Sequence, residues 1–330
     1  MELNAPPGAA VGGAAARPLE ATVRRVDFGG VALSGDDGAR LEATVRGRLM
    51  GERKSLGNTV VVGDRVTLEW ERGRAVIASV APRRNAFSRR ASGERAEEQV
   101  VASNLDQLVI VASVRRPEFR HGLVDRLLAQ ARASRLPALL ALNKTDLGDE
   151  AEVEGLAADY APAGVRTLAL CALTGRGVES LRAACRRHRS LFVGHSGVGK
   201  STLLDRLAPG HELLAAEVNE RTGKGRHTTT AALLLTPEPG LELIDTPGVR
   251  AFSLWGIDRD SLERHYAEFE PFLGACRFGD CRHDREPGCA LRAAVERGDV
   301  PARRWESFLR LRDELGGGPG ARPARTSARD

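Results

Sequence analysis

Residues Gly194, His195, Ser196, Gly197, Val198, Gly199, Lys200, Ser201 and Thr202 form a G-x-x-x-x-G-K-[ST] loop. They follow a short apolar run at 191–193 and open a helical pattern over 201–207, the context such a loop needs. Glycines let backbone N–H groups wrap phosphate oxygens. Lys200 places a compact ammonium on the β- and γ-phosphates, and Ser201 offers a hydroxyl to Mg²⁺. Lys200 is one of four lysines, with Lys54, Lys144 and Lys224, among 49 basic residues. The arginines, planar and bulky, would not fill this role.

Asp245, Thr246, Pro247 and Gly248 end a second apolar strand, 44 residues beyond Ser201. Asp245 is placed to hold Mg²⁺ through water, and the Gly248 N–H to meet a γ-phosphate. Asn143, Lys144, Thr145 and Asp146 end a third strand. A carboxylate at Asp146 accepts from guanine N1–H and N2–H₂, donors that adenine lacks, and this disfavours an ATPase. Asn143 can bond the other base edge and anchor the phosphate loop, while the Lys144 stem covers the ring. Cys171, Ala172 and Leu173 follow the next strand and can bring a backbone N–H to guanine O6. Between the phosphate loop and Asp245 lies a glycine-flanked stretch with His227, Thr228 and Thr229. One of the two threonines is expected to complete the Mg²⁺ shell, and the pattern does not separate them.

These motifs stand in inverted order. A GTPase domain ordinarily runs from the phosphate loop to D-x-x-G, N-K-x-D and the base loop, whereas here N-K-T-D and C-A-L come first. Strand order in a sheet need not follow chain order, so a circular permutation still gathers every loop at one sheet edge. After D-x-x-G, where many GTPases carry a water-orienting glutamine, stands Val249. Intrinsic hydrolysis is therefore expected to be slow and to need a partner or another side chain. His227 is the nearest titratable candidate for that catalytic role.

Cys276, Cys281, His283 and Cys289 place three thiols and one imidazole within fourteen residues. A Cys₃His set is a closed tetrahedral zinc site, predicting one structural Zn²⁺ per chain; redox or simply buried cysteines are the competing readings.

The elements positioning these residues follow from period and punctuation. Five short strands, at 21–26, 30–34, 40–46, 64–70 and 74–80, suggest a small barrel, with an OB-fold favoured over an SH3-like one. From Leu105 strands alternate with helices, including 108–114, 122–134, 138–142, 165–170, 179–189, 191–193, 233–235 and 241–244. That alternation reads as an α/β domain with a six-stranded doubly wound sheet. Helices are expected at 260–269, 291–297 and 303–315. The expected division is a disordered tail over 1–19, an OB-fold domain over 20–82 and a basic linker over 83–103. A circularly permuted P-loop GTPase domain over 104–255, a helical zinc-binding domain over 256–315 and a second tail over 316–330 complete it. Hydrophobic residues make up 42 % of the 330, enough for several cores. No stretch is apolar enough for a membrane span, and the cysteine usage suits a reducing cytoplasm. A net charge of +5 permits a polyanionic partner. Nothing in the residues demands a dimer, so a monomer is expected.

In combination the chain resembles the RsgA family of small-subunit-dependent GTPases. The resemblance rests on Asn104–Gln107, Gly225–Thr230, Asp245–Gly248 and Cys276–Ala290, and runs from about 21 to 315. It implies GTP/GDP binding and hydrolysis stimulated by the small ribosomal subunit. It further implies contact with that subunit's rRNA through the barrel and zinc domains, late subunit maturation, and release afterwards. Cys171 stands where the family often has serine, Val249 where an aromatic is common, and Phe308 where tyrosine is frequent. The same residues admit two rival readings: a GTP-gated rRNA-binding scaffold with negligible hydrolysis, and a permuted GTPase of large-subunit assembly.

Overall fold

Alternating apolar residues on one strand, with apolar helices to either side, dictate the central layer. In the computed structural model, which describes residues 19–27, 30–46, 59–91, 97–210, 232–248 and 252–317, this layer is one continuous sheet. Strands β1 (Leu19–Asp27), β2 (Gly30–Gly35), β3 (Arg40–Val45), β4 (Arg65–Glu71) and β5 (Arg74–Val80) lie at its N-terminal end. They run in the order β1-β2-β3-β5-β4, and β4 returns to pair with β1. That closure, with β3 and β5 parallel, is the five-stranded barrel of an OB-fold.

The α/β part contains β8 (Gln107–Ser113), α1 (His121–Ala133), β9 (Ala138–Asn143), α2 (Glu150–Ala158), β10 (Arg166–Ala169) and α3 (Val178–Cys185). It continues with β11 (His188–Gly194), α4 (Lys200–Leu207), β12 (Leu233–Glu238) and β13 (Leu241–Asp245). Its strand order is β10-β9-β8-β11-β13-β12, all parallel except β12. Leu108, Ile110 and Ala112 of β8 face one core with α1, while Val109 and Val111 face another with α3 and α4.

The sheet does not stop at the barrel. Strand β1 pairs antiparallel with β12 at Arg25 and Leu233, and Arg24 Nη2 donates to Leu234 O at 3.2 Å. The expected helix over 179–189 is shorter than its pattern. Arg186 is already extended, Arg187 takes φ 63°, and its N–H bonds Gly240 O at 2.6 Å so that β11 can start beside β13.

Residues 83–103, expected as a basic linker, contain a β-hairpin, β6 (Ala86–Arg90) with β7 (Glu98–Ser103). Arg83, Arg84 and Arg89 make internal contacts. Arg83 clamps the fully buried Asp64 of the barrel with two hydrogen bonds, 2.7 and 2.8 Å, and Asp64 also accepts from Ser103 Oγ at 2.6 Å. Arg84 pairs with Asp106 and Arg89 donates to Gln99. Gly63 has φ 94°, and a Cβ there would lie 2.2 Å from Ser103 O, so only glycine lets barrel and hairpin meet this closely. No period was visible here because the hairpin is short and irregular, with a shift between Phe87 and Ser88.

The C-terminal segment forms 3-10 turns at Leu262–His265 and Ala267–Phe272, then α5 (Ala290–Arg297) and α6 (Ala302–Gly316). The helix expected over 260–269 is thus replaced by the two turns, the second containing Pro271, whose nitrogen cannot donate. Tyr266, Phe269 and Phe308 join the same core as α1, so this segment is packed onto the α/β part. Phe308 is 2 % exposed and meets Tyr266 and Phe269 edge-on at 5.5 and 5.2 Å, an environment with no call for a hydroxyl.

A buried ionic cluster fastens α6 to α1. Arg304 bonds Asp125 and, at 2.6 Å, Glu268, with its guanidinium over the Tyr266 ring at 4.6 Å. Burial would lower the Arg304 pKa, but the two carboxylates outweigh it and raise it. Removing one partner strands a charge in a dry site. Asp125→Ala is therefore expected to cost about 3–5 kcal/mol in urea unfolding, far more than a surface pair.

Candidate functional site

All five parallel strands end at one edge of the sheet, and the loops there carry the candidate residues. Strand β11 delivers the phosphate loop, which turns through Gly197 and Gly199 at φ 85° and 89° into α4. A Cβ at Gly199 would come within 2.4 Å of Asn143 Nδ2, so the glycine admits a side chain from another loop.

That side chain is the bridge between motifs. Asn143, 1 % exposed at the end of β9, donates to Val198 O at 2.9 Å and accepts from Ala172 N at 2.9 Å. One amide thus binds the phosphate loop and the C-A-L loop together. Lys144, at φ 60°, donates from Nζ to Gly197 O at 2.7 Å and to Arg116 O, which lays its stem across the site. Thr145 turns inward, its N–H and hydroxyl both donating to Leu170 O at 3.1 and 2.8 Å. Asp146 is exposed. The Cys171 thiol donates to its carboxylate and, with Arg176 and Lys144 nearby, holds its pKa below the ordinary value.

At the other end Lys200 and Asp245 form a buried ion pair. Thr246 ties the start of the D-T-P-G turn to β11 through a 2.7 Å bond to Phe192 O. Gly248 lies against the phosphate loop, where an added Cβ would stand 3.3 Å from Ser196 Cα. Ser201 and Thr202 are exposed on the first turn of α4, and His195 Nδ1 lies 2.7 Å from Ser196 O. The arrangement offers a cation and backbone N–H groups to an anion at one end, and at the other a carboxylate near the Leu173 N–H, which has no partner among the described residues. Chain order is inverted, yet the loops touch. His227, Thr228, Thr229 and Val249 lie outside the described residues.

The second cluster is the Cys₃His set. The ligand atoms of Cys276, Cys281, His283 and Cys289 all lie within 4.8 Å of one another. His283 Nδ1 is 3.4 Å from Cys276 Sγ and 3.5 Å from Cys289 Sγ, and the two sulfurs are 4.0 Å apart. A tetrahedron of ~2.3 Å metal–sulfur bonds has edges of ~3.8 Å, so the donors fit a metal ion. Backbone N–H groups of Ala290 and Arg292 point at Cys276 and Cys289 sulfurs, at 3.4 and 3.3 Å, as they would to thiolates. Burial and the adjacent thiols push Cys281 up to about 12, a pressure that a bound cation would reverse.

Sequence reasoning missed three residues here. Glu263 Oε2 lies 2.8 Å from His283 Nε2, leaving Nδ1 to face the sulfurs. It stands 20 residues upstream, and no spacing rule reaches that far. Arg176 donates to Thr145 Oγ1 at 2.5 Å, and Arg206 reaches the C-A-L loop. Neither carries a motif signal.

The model of the family described as RsgA GTPase matches residues 80–255, just over half the chain. The chain is 41 % identical over 285 residues to a protein of Gemmatimonas aurantiaca named small ribosomal subunit biogenesis GTPase RsgA, covering 86 % of this chain and 92 % of that one. A protein of the same name from Chlorobaculum parvum is 40 % identical, over 90 % and 98 % of the two chains. In structure the chain is similar to YjeQ from Thermotoga maritima, with TM-score 0.72, 29 % identity and 91 % and 99 % coverage. It also shares its fold with YloQ, described as a circularly permuted GTPase, at TM-score 0.67 and 20 % identity over 91 % and 96 %.

Glu286 lies in the loop that carries the metal ligands, between His283 and Cys289. Desolvation would raise the Glu286 pKa, but backbone N–H groups of Arg282, Asp284 and Arg285, at 3.0, 3.0 and 3.1 Å, hold it down to about 2. A depressed carboxylate stabilises above its unfolded pKa of 4.5 and loses that effect as pH falls through about 2. Glu286→Gln should therefore be less stable than the parent at neutral pH. In urea titrations at stepped pH, the gap should close between about 4.5 and 2.

Proposed function

The chain belongs to the RsgA GTPase family, a GTP hydrolase family, and from this we propose that it works on the small ribosomal subunit. GTP hydrolysis is stimulated there, contributes to late subunit maturation and is followed by release. The relatives named for small ribosomal subunit biogenesis support this reading. The observation that carries the nucleotide assignment is the pair of hydrogen bonds by which Asn143 joins the phosphate loop to the C-A-L loop.

In this reading the N–H groups of Gly194–Gly199 wrap the phosphates, and Lys200 exchanges its pairing with Asp245 for the β- and γ-phosphates. Ser201, Asp245 and one of Thr228 or Thr229 would hold Mg²⁺, which supplies charge neutralisation at the phosphates. Gly248 is adjacent to the γ-phosphate. Asp146, whose pKa the Cys171 thiol lowers, accepts from guanine N1–H and N2–H₂. The Leu173 N–H, without a partner among the described residues, meets O6. Val249 cannot orient water, so His227 or a group of the subunit serves as the catalytic element. Cys276, Cys281, His283 and Cys289 would hold one Zn²⁺ that staples the C-terminal segment, with Glu263 orienting His283. No helix among the described residues is long and apolar enough to cross a membrane. We place the protein in the cytoplasm as a monomer. Because Arg83, Arg84 and Arg89 are engaged internally, rRNA contact falls to other arginines of the barrel, through salt-sensitive phosphate contacts.

Phosphate release from GTP, measured with purified small subunits added at several salt concentrations, tests the reading. Release should rise with small subunits, fall with salt, and stay low with large subunits. Flat turnover would point to a non-hydrolysing scaffold. Asp146→Asn should shift preference from guanosine to xanthosine triphosphate, whose donor pattern matches the amide. Unchanged guanine preference would refute the base assignment. Stripping the metal with a chelator should loosen the C-terminal segment, read as faster proteolysis after residue 252. Glu263→Ala should weaken metal affinity by about 10–100-fold.

A further inference from the structure

Arg206 lies in the last turn of α4, six residues beyond Lys200, and among the described residues it has no carboxylate partner. Its guanidinium instead donates to two successive carbonyls of the C-A-L loop: Nε to Ala172 O at 3.1 Å and Nη2 to Leu173 O at 2.7 Å. Two donors on one edge of a planar fork suit two neighbouring acceptors, and an ammonium has no such edge. Arg182 of α3 holds the Arg206 carbonyl in turn, at 3.1 Å, so the helix end is itself fixed.

Peptide geometry makes this contact consequential. In a trans peptide the C=O and N–H point in opposite directions. The carbonyl of Ala172 and the N–H of Leu173 belong to one peptide plane. Pinning Ala172 O to Arg206 therefore turns the Leu173 N–H away from α4. The two preceding amides are already used, Cys171 N by Arg176 O at 2.9 Å and Ala172 N by Asn143 at 2.9 Å. We propose that Arg206 is a positioning residue for selection of 6-oxopurine nucleotides. It aims the Leu173 N–H at the purine 6-oxygen and fixes that amide to the helix that also begins at the phosphate lysine.

The inference rests on the guanine reading above, and the test separates the two. Affinities of the full chain for GTP and for 2-aminopurine riboside triphosphate, which lacks the 6-oxygen, are measured by competition against a fluorescent GDP. Arg206→Ala should lose about tenfold on GTP and less than about twofold on the 2-aminopurine nucleotide. Arg206→Lys, which keeps the charge without the fork, should resemble Arg206→Ala. With small subunits present, KM for GTP should rise while kcat at saturating GTP stays within about twofold. Equal loss on both nucleotides, no loss on GTP, rescue by lysine, or a fall in kcat would overturn the role of Arg206. If the unsubstituted chain fails to prefer GTP, the guanine reading itself fails.

Discussion

The carboxamide of Asn143 is the constraint on which the site depends. It is buried, and both its faces are bonded, one to Val198 and one to Ala172. A buried amide with either partner missing would leave groups unsatisfied at about 1–3 kcal/mol each. Forming the three loops together is therefore favoured over forming any one of them alone. Gly199 is the steric condition for that bridge and Lys144 a second strut beside it. A permuted chain can afford to scramble the order of its motifs because this contact is made in space and ignores connectivity.

The same economy governs the flanks. The barrel does not hang from a tether. Its β1 extends the α/β sheet, Arg83 locks onto buried Asp64, and Phe87 of the hairpin stacks on Phe252 at 5.6 Å, just beyond the D-T-P-G turn. On the other face, Arg304 and the aromatic residues around it set the C-terminal segment on α1. Both flanking parts are thus joined to the α/β part by direct contacts, the C-terminal one through a buried ionic cluster.

Much of this was legible in residue patterns. The barrel strands, the buried parallel strands and each phosphate or base loop announced themselves by period or by spacing, because backbone geometry demands those residue types there. The Cys₃His set was legible for the same reason. The segment at 83–103 with its hairpin was not: Arg83 and Arg84, which pair with Asp64 and Asp106, look in a linear chain like a solvated charge run. Nor was the early end of α3 at Cys185, where the demand for pairing with β13 overrides an arginine-rich helical pattern. Glu263 and Arg206 were invisible because their partners, His283 and two backbone carbonyls, lie far away in sequence or have no residue identity at all.

The pairing of β1 with β12 has a consequence for how the molecule comes into being. Arg24 and the Leu234 carbonyl it binds are 210 positions apart. During synthesis the first barrel strand can pair with β2 and β4 early, but its end at Arg24 and Arg25 must wait for β12 until most of the polypeptide has left the exit tunnel. Such long-range closure is slow. The barrel can therefore close on itself well before it is fastened to the rest of the sheet, and that fastening is among the last contacts the newborn chain can make.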